Sequence, residues 1–342
     1  MEAALYDSES GYYSRGAAIG EAGDFVTSPS ISPIFAQTIA RLFASDAENF
    51  EGEIAFCEAG SGAGSFLRDF RKALAEIAPV VSRRTAIRAI ERSVAGRAAI
   101  AGEMLADRVA ADASEWSNDR FEGWIFSNEI YDALPVHRVI QRDEGLFELG
   151  VTLSRRERAS EGDLGELSWT TWPAPPVLTN YLARFSVSLE EGQVAEINLD
   201  AAPLHRSLAR LLSRGRMLSF DYGHRAAVLY HPHARRSGTL AIHFGGRRGG
   251  DPLANPGEVD LTAHVNWDDL VEAGSAEGFE TDGRMRQSEF LLAAGLFENV
   301  ADRKLEAMRL FDPEGIGEML SVLLQSKGIA RLRFFSQLTS PG

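Results

Sequence analysis

The stretch IAFCEAGSGAGSFLRDFRKAL, residues 54–74, decides how the rest of the chain is read. Ile54 to Cys57 form an apolar run of the length of a buried strand. The run leads into Glu58, Gly60, Gly62 and Gly64, after which Phe66, Leu67, Phe70 and Leu74 recur at helical spacing. The order is strand, glycine turn, helix. Glycines at such a turn allow positive φ and close approach of a ligand to the backbone. The spacing E-x-G-x-G-x-G is one residue shorter than the G-x-G-x-x-G that seats a pyrophosphate on a helix N-terminus. An acidic Glu58 before the turn also suits a cationic ligand, which points to S-adenosylmethionine with its α-amino group and sulfonium. The plainer alternative is a glycine-rich surface turn with no ligand.

Upstream, Ser32 can cap a helix with Pro33 in its first position and Ile34, Phe35, Thr38, Ile39, Leu42 and Phe43 on one face. Residues 1–31, with Gly11, Gly16, Gly20 and Gly23, read as a loop-rich lead-in. Downstream, a second strand over 85–90 ends at Glu91, a helix spans 94–107, and Val109 to Ala111 form a third strand ending at Asp112. A fourth strand, Gly123 to Ser127, ends at Asn128 and Glu129. Between 136 and 197, β-prone stretches, a Trp-Pro-rich segment and polar turns around Gly162 predict an antiparallel insertion. A helix over 202–213 and the strand Arg216 to Phe220, ending at Asp221, resume the alternation. This pattern predicts an α/β fold: a Rossmann-like, mostly parallel sheet with a β insertion and additional helices, its ligands at the carboxyl ends of the strands. The expected divisions are 1–50 as lead-in, helix and lid, 51–135 plus 198–342 as the core, and 136–197 as the insertion.

The chain has 342 residues, a length for two domains or one large α/β domain with insertions. Its 35 basic and 49 acidic residues give a net charge of −14, and such a body repels nucleic acid and anionic membrane. The single Cys57 excludes an intramolecular disulfide, and no Cys/His zinc pattern is present, so no metal is expected. No targeting pattern opens the chain, and no apolar run approaches the ~20 residues of a membrane helix. A cytoplasmic location without membrane insertion is the expectation.

Several strand-end residues are candidates for the ligand. Glu91 is placed to accept from both ribose hydroxyls and Asp112 from an adenine amino group, with Ala113 beside it. Either acid alone could be a solvated strand-end carboxylate, Asp112 more readily than Glu91; in order after the glycine turn they reinforce one another. SNEIYDALPVH (127–137) then offers Asn128, Glu129 and Asp132, an acidic pocket beside a methyl donor or else acids favouring a helix N-terminus. Phe25 has no helical or strand partner nearby, so residues 23–32 are expected to fold over the cofactor, with Asp24, Phe25 and Thr27 touching it.

Seven stretches carry a resemblance: GYY (11–13), GDFVTSPSISPIF (23–35), EAGSGAGSFLRDF (58–70), SNEIYDALPVHRV (127–139), DYGH (221–224), DPLANPGEVDLTAHV (251–265) and QSEFLLAAG (287–295). In these the chain resembles the MidA family of class I methyltransferases, whose mitochondrial members are respiratory complex I assembly factors that methylate an arginine side chain. The resemblance implies a class I methyltransferase sheet, S-adenosylmethionine as cofactor, and a protein acceptor such as a complex I subunit. With an arginine acceptor, two cations must meet, and Glu129 and Asp132 are the carboxylates expected to grip the guanidinium; likeness to the histidine loop that a different family of arginine methyltransferases sets beside the guanidinium suggests that His264 takes or relays the departing proton. An equal alternative is that His264, like His224, only holds its loop. Ser30 stands where the family usually has glutamate, and HFGGRRGG (243–250) replaces a more basic, aromatic stretch. The chain begins inside a motif, at ALYDSESGYY, and the helix preceding that point in relatives is expected to be missing or not included. Competing readings are a methyltransferase for a small molecule or protein carboxylate, and a silent assembly chaperone that only holds S-adenosylmethionine. A nicotinamide dehydrogenase is disfavoured by the glycine spacing.

Overall fold

The apolar run at 54–57 extends into strand β1 (Ile54–Ala59), buried along its whole length. The structure is a computed structural model describing residues 1–14, 27–154, 165–244, 247–298, 303–313 and 320–332. β1 pairs in parallel with β2 (Thr85–Ile90) on one side and β4 (Phe121–Asn128) on the other. Beyond β2 lies β3 (Arg108–Ala110). The chain therefore steps outward from β1 to β3 and returns across β1 to β4. That reversal opens a crevice between the carboxyl ends of β1 and β4, the usual ligand position in such sheets.

After β4 the chain leaves the sheet. Strands β5 (His137–Arg142), β6 (Gly145–Ser154), β7 (Glu166–Pro173) and β8 (Val194–Ile197) form a separate antiparallel sheet in the order β7-β6-β5-β8. This matches the expected insertion; the turn around Gly162 lies outside the described residues. The chain re-enters at β9 (Leu212–Asp221), parallel to β4. Small strands follow: β10 (Gly223–His224) pairs with β14 (Val265–Asn266), and β11 (Ala241–Phe244) pairs with β12 (Arg247–Arg248) and β13 (Asp260–Thr262). Finally β16 (Ser321–Lys327) runs antiparallel to β9, and β15 (Glu280–Arg286) closes that edge.

Helices α1 (Glu2–Tyr6) and α2 (Ser28–Ile31) precede α3 (Pro33–Asp46), which starts where expected, with Ser32 accepting from the Ile34 N–H at 3.2 Å. Helix α4 (Ser65–Ile77) follows the glycine turn. Phenylalanines from α3, α4 and the strands interlock on one sheet face, with ring centroids 3.9 Å apart for Phe56 and Phe70 and 4.3 Å for Phe66 and Phe126. The opposite face buries Ala55, Cys57, Ile125 and Met217 against Leu208 and Leu211, near residue 205 and the chain leading into β9. The result is an α/β layering about one central sheet.

Three local expectations differ from the structure. The lead-in is not all loop: α1 forms because Leu5 is buried and the Tyr12 and Tyr13 N–H groups bond to Ala4 and Leu5 carbonyls at 2.9 Å. Helices this short show no periodicity to read. The helix expected over 94–107 spans only Val94–Gly102, since Met104 takes a left-handed φ of +52° and the Asp107 N–H turns to the Ile87 carbonyl to start β3. The Trp-Pro-rich segment leads into a helix over Pro176–Arg184, because a proline in the first helical position has no N–H to lose.

One buried ion network locks the sheet to α3. Arg216, only 1% exposed, donates to both carboxylate oxygens of Asp46 at 2.7 Å and to Asp282 at 3.1 Å. The Trp124 indole N–H also donates to Asp46, at 2.8 Å. Removing one member leaves a buried charge uncompensated. Asp46→Ala is therefore expected to destabilise the fold by ~3–5 kcal/mol, measured by urea unfolding, with Asp46→Asn costing less.

Candidate functional site

The turn after β1 depends on three glycines with positive φ: +73° at Gly60, +53° at Gly62 and +81° at Gly64. A Cβ at Gly60 would collide with Ile130, and one at Gly64 with Leu105. The turn is closed by Glu91, whose two carboxylate oxygens accept from the Gly62 and Ser93 N–H groups, each at 2.7 Å. Each oxygen keeps a second lone pair. Burial pushes the Glu91 carboxyl up, against the pull of those donors.

Glu58 is 4% exposed, and its Oε2 is buried with no hydrogen-bond partner among the described residues. Burial holds its carboxyl well above the usual range, and the nearby Glu91 adds repulsion. An orphaned carboxylate oxygen at the ligand edge fits an ammonium group, which would restore the lost hydrogen bond and charge balance. Asp112, at the end of β3, is exposed and accepts from the Ser114 N–H at 2.8 Å while Glu115 returns to the Asp112 N–H at 3.2 Å; Ala113 is buried beneath it.

The segment after β4 is strained and strongly held. Glu129 adopts a left-handed φ of +53°, a conformation that costs a non-glycine residue ~1–3 kcal/mol. Its N–H donates to the Phe220 carbonyl at 2.8 Å, and its Oε1 accepts from the Asn128 amide at 2.8 Å. The Asn128 Oδ1 is buried with no partner among the described residues. The wholly buried Asp221 accepts from the Ile130 and Tyr131 N–H groups at 3.1 and 2.9 Å, and from Tyr222 at 2.8 Å. Burial pushes its carboxyl up to about 7 despite these donors. Tyr131 bonds to His205 Nδ1 at 2.8 Å, while His205 Nε2 bonds to the Gln325 carbonyl oxygen at 2.7 Å. Burial lowers His205 to about 4, so it is neutral at pH 7: it accepts from Tyr131 and donates to Gln325.

Asp132 is 5% exposed, and its carbonyl accepts from the Ala263 N–H at 2.9 Å, bringing the next residue, His264, to the same edge. The His264 N–H donates to Thr239 Oγ1 at 3.1 Å, and its ring lies 5.4 Å from that of His224 and 6.3 Å from that of Tyr222. Glu129 and Asp132, read from one motif, and His264, read from another, thus share one end of the sheet. Thr27 is buried, and its N–H donates to Ser30 Oγ at 3.0 Å in a reciprocal cap of α2. Asp24 and Phe25 lie outside the described residues.

Sequence reasoning missed Tyr6, Tyr13 and Asp260. The Tyr6 hydroxyl donates to the Ala133 carbonyl at 3.0 Å and that of Tyr13 to Asp260 at 2.8 Å, their rings stacked 5.4 Å apart. The Arg92 guanidinium lies 4.2 Å from the Tyr6 ring and pairs with Glu2 at 2.8 Å. The motifs GYY and DPLANPGEVDLTAHV contain two of the three residues, but nothing local announces that they meet.

Comparison with known proteins supplies the class. Residues 35–285 match the model of a family described as S-adenosyl-L-methionine-dependent methyltransferases. The chain is thus an S-adenosylmethionine-dependent methyltransferase, and S-adenosylmethionine is its cofactor. Within that class it belongs to the MidA family. It is similar to the mitochondrial protein arginine methyltransferase NDUFAF7 homolog of Drosophila melanogaster, 24% identical over 96% of this chain and 80% of that protein. The Homo sapiens protein arginine methyltransferase NDUFAF7 is 24% identical over 86% of this chain and 69% of its own length. A crystal structure of a COG1565 superfamily member from Burkholderia thailandensis, bound to S-adenosyl-homocysteine, superposes with a TM-score of 0.82 at 31% identity, covering 98% of this chain and 89% of that one.

Two outcomes are expected. Gly62→Val places a β-branched side chain at a left-handed φ and displaces the N–H held by Glu91; calorimetry should show S-adenosylhomocysteine binding abolished while circular dichroism shows a folded chain. The second concerns Asp221. Between the ordinary carboxylate value and about 7, the folded chain keeps a proton on Asp221 that the unfolded chain has released. Its contribution to stability is full at the acid end of that window and is lost as pH rises through about 7. Urea midpoints at about pH 5 and about pH 8 should show wild type losing stability relative to Asp221→Asn across the window.

Proposed function

We propose that this methyltransferase modifies an arginine side chain of a protein, in support of respiratory complex I assembly, with a complex I subunit as acceptor. The observation that carries the reading is the acidic Glu129–Asp132 loop, strained and half to fully buried, directly beside the glycine turn through Ile130 and Gly60. The names of the mitochondrial relatives support the arginine acceptor.

On the donor side, Glu58 takes the α-amino group, Glu91 the ribose hydroxyls, and Asp112 with Ala113 the adenine. Asn128 turns its buried amide oxygen to the same ligand. Bound S-adenosylmethionine supplies an electrophilic methyl group on a sulfonium.

On the acceptor side the difficulty is electrostatic. A guanidinium stays protonated, its lone pairs are delocalised, and it must approach a second cation. Glu129 and Asp132 accept charge-assisted hydrogen bonds worth ~1.5–3 kcal/mol each, localising charge on one nitrogen and aiming another at the methyl carbon. Orientation of this kind contributes ~7–11 kcal/mol in favourable cases. His264 takes or relays the proton that leaves.

Glu129→Gln preserves shape and removes one charge. It is expected to lower turnover by orders of magnitude with S-adenosylhomocysteine affinity little changed, and Asp132→Asn should do the same. The double variant should lose far less than the product of the two, since both grip one group. Transfer of labelled methyl to complex I subunits, followed by mass spectrometry, provides the rate. Wild-type rates in both variants, or donor binding lost in step with activity, would remove this division of roles.

A further inference from the structure

The first half of the loop after β4 is held by Asp221, through the Ile130 and Tyr131 N–H groups at 3.1 and 2.9 Å. Its second half is held from elsewhere in the chain. The Asp132 carbonyl accepts from the Ala263 N–H at 2.9 Å, and the buried Ala133 carbonyl accepts from the Tyr6 hydroxyl at 3.0 Å. Tyr6 is itself fixed: its ring stacks on that of Tyr13, 5.4 Å away and 25° from parallel, and the Tyr13 hydroxyl donates to Asp260 Oδ1 at 2.8 Å. Asp260 opens β13, the strand that leads into Ala263. The turn joining the two tyrosines is tied down by the Tyr12 and Tyr13 N–H groups, which bond to the Ala4 and Leu5 carbonyls, and by burial of Leu5 and Tyr12 with Ile242, Val259 and Leu261. A Cβ at Gly11 would lie 2.5 Å from the Asp7 nitrogen, so this close turn requires the glycine of GYY. Asp132 and Asp260 are both buried, at 5% and 2% exposed. Burial holds the Tyr6 and Tyr13 phenols well above their ordinary range, and the charges of Asp260 and Asp132 push both further, against the pull of Arg92 at Tyr6. Both tyrosines therefore stay protonated donors, within the field of both carboxylates.

We propose that Tyr6 and Tyr13 are positioning residues of the methyl transfer: Tyr6 sets the backbone at 132–133, Tyr13 anchors Asp260, and together they fix where the Asp132 carboxylate stands beside the glycine turn. The inference rests on the reading that Asp132 meets the acceptor, and it adds what holds that carboxylate in place. Two observations select the tyrosines. The first is backbone geometry. The peptide planes on either side of the Asp132 Cα are bonded, the Tyr131 carbonyl to the Asn198 amide at 3.1 Å and the Asp132 carbonyl to Ala263 at 2.9 Å. The Tyr6 hydroxyl fixes the next plane, which stops the loop from swinging about Ala133. The second is charge. Asp260 and Asp132 are like charges in a low-dielectric interior, and they favour moving apart. The Tyr13 O–H bond stabilises the charge on Asp260 where it stands and so opposes that movement. Precision of this kind matters to rate, since a misplacement of about 1 Å at a reacting edge can cost about 100-fold.

Tyr6→Phe and Tyr13→Phe test this in the full chain, because each removes a hydroxyl and keeps the stacked ring. Hydrogen exchange followed by mass spectrometry reads the loop without any acceptor. Tyr6→Phe is expected to speed exchange across 129–134 by about tenfold or more, with the glycine turn at 58–64 unchanged. Labelled methyl transfer to purified complex I subunits reads the reaction. Both variants are expected to lower kcat by about tenfold or more, with the KM for S-adenosylmethionine and the Kd for S-adenosylhomocysteine unchanged. A merely structural role gives a different pattern: faster exchange throughout the chain and donor affinity lost together with activity. That pattern overturns the proposal, and so does loop exchange at the wild-type rate in Tyr6→Phe. The two readings also fail separately. Faster exchange confined to 129–134, with a wild type that methylates no complex I subunit, supports the tyrosine clamp and removes the complex I acceptor. Transfer by both variants at the wild-type kcat keeps that acceptor and removes the clamp.

Discussion

The site depends on one buried carboxylate. Asp221 ends β9 among backbone N–H groups that no strand satisfies, and it collects those of Ile130, Tyr131 and Tyr222. A buried N–H without a partner costs ~1–3 kcal/mol, so these bonds decide the path of the segment after β4. They force Glu129 into its left-handed conformation and turn Asp132 back toward Ala263. The neutral His205 adds a second anchor through the Tyr131 hydroxyl. Strain at Glu129 is thus maintained by its surroundings, as strain at functional positions generally is.

On the donor side the same physics works in the opposite sense. Glu58 and Glu91 are both buried, both raised by that burial, and near enough that Glu91 disfavours the charge on Glu58. Glu91 is compensated by two backbone donors; the Oε2 of Glu58 has none among the described residues. Two like charges in a low-dielectric edge favour a ligand that brings positive charge, and S-adenosylmethionine carries it on both amino group and sulfonium. The acidic loop at 129–132 extends this field across the switch point.

Much of the central sheet was legible in the sequence because its signals are local. Ile54 to Cys57, the glycines and the Phe66–Leu74 face occupy one short stretch, and their periods change from strand to helix within it. Ser32 and Pro33 announced α3 by the same local chemistry, and the β-prone stretches between 136 and 197 announced the antiparallel sheet. Elements too short for a period were less legible. α1 and α2 have five and four residues, and they stand because tertiary contacts bury Leu5 and Ser28. The end of the helix at Gly102 was hidden for a related reason, since the next turn is set by a hydrogen bond to the neighbouring strand.

The sequence by itself determined the order of strands and helices, the glycine turn, and the row of acids that any parallel arrangement would bring to the carboxyl edge. These follow from backbone conformation and side-chain periodicity, which act over a few residues. The tertiary structure alone decided how each of those acids is held: Asp221 frames the loop at 129–132, Asp112 accepts from the Ser114 N–H, and Glu58 keeps an oxygen with no hydrogen-bond partner among the described residues. It alone joined Tyr13 to Asp260, 247 positions apart, and Tyr6 to Ala133, 127 apart. Such contacts form only once the whole sheet is assembled, because each requires two surfaces that no local preference can bring together.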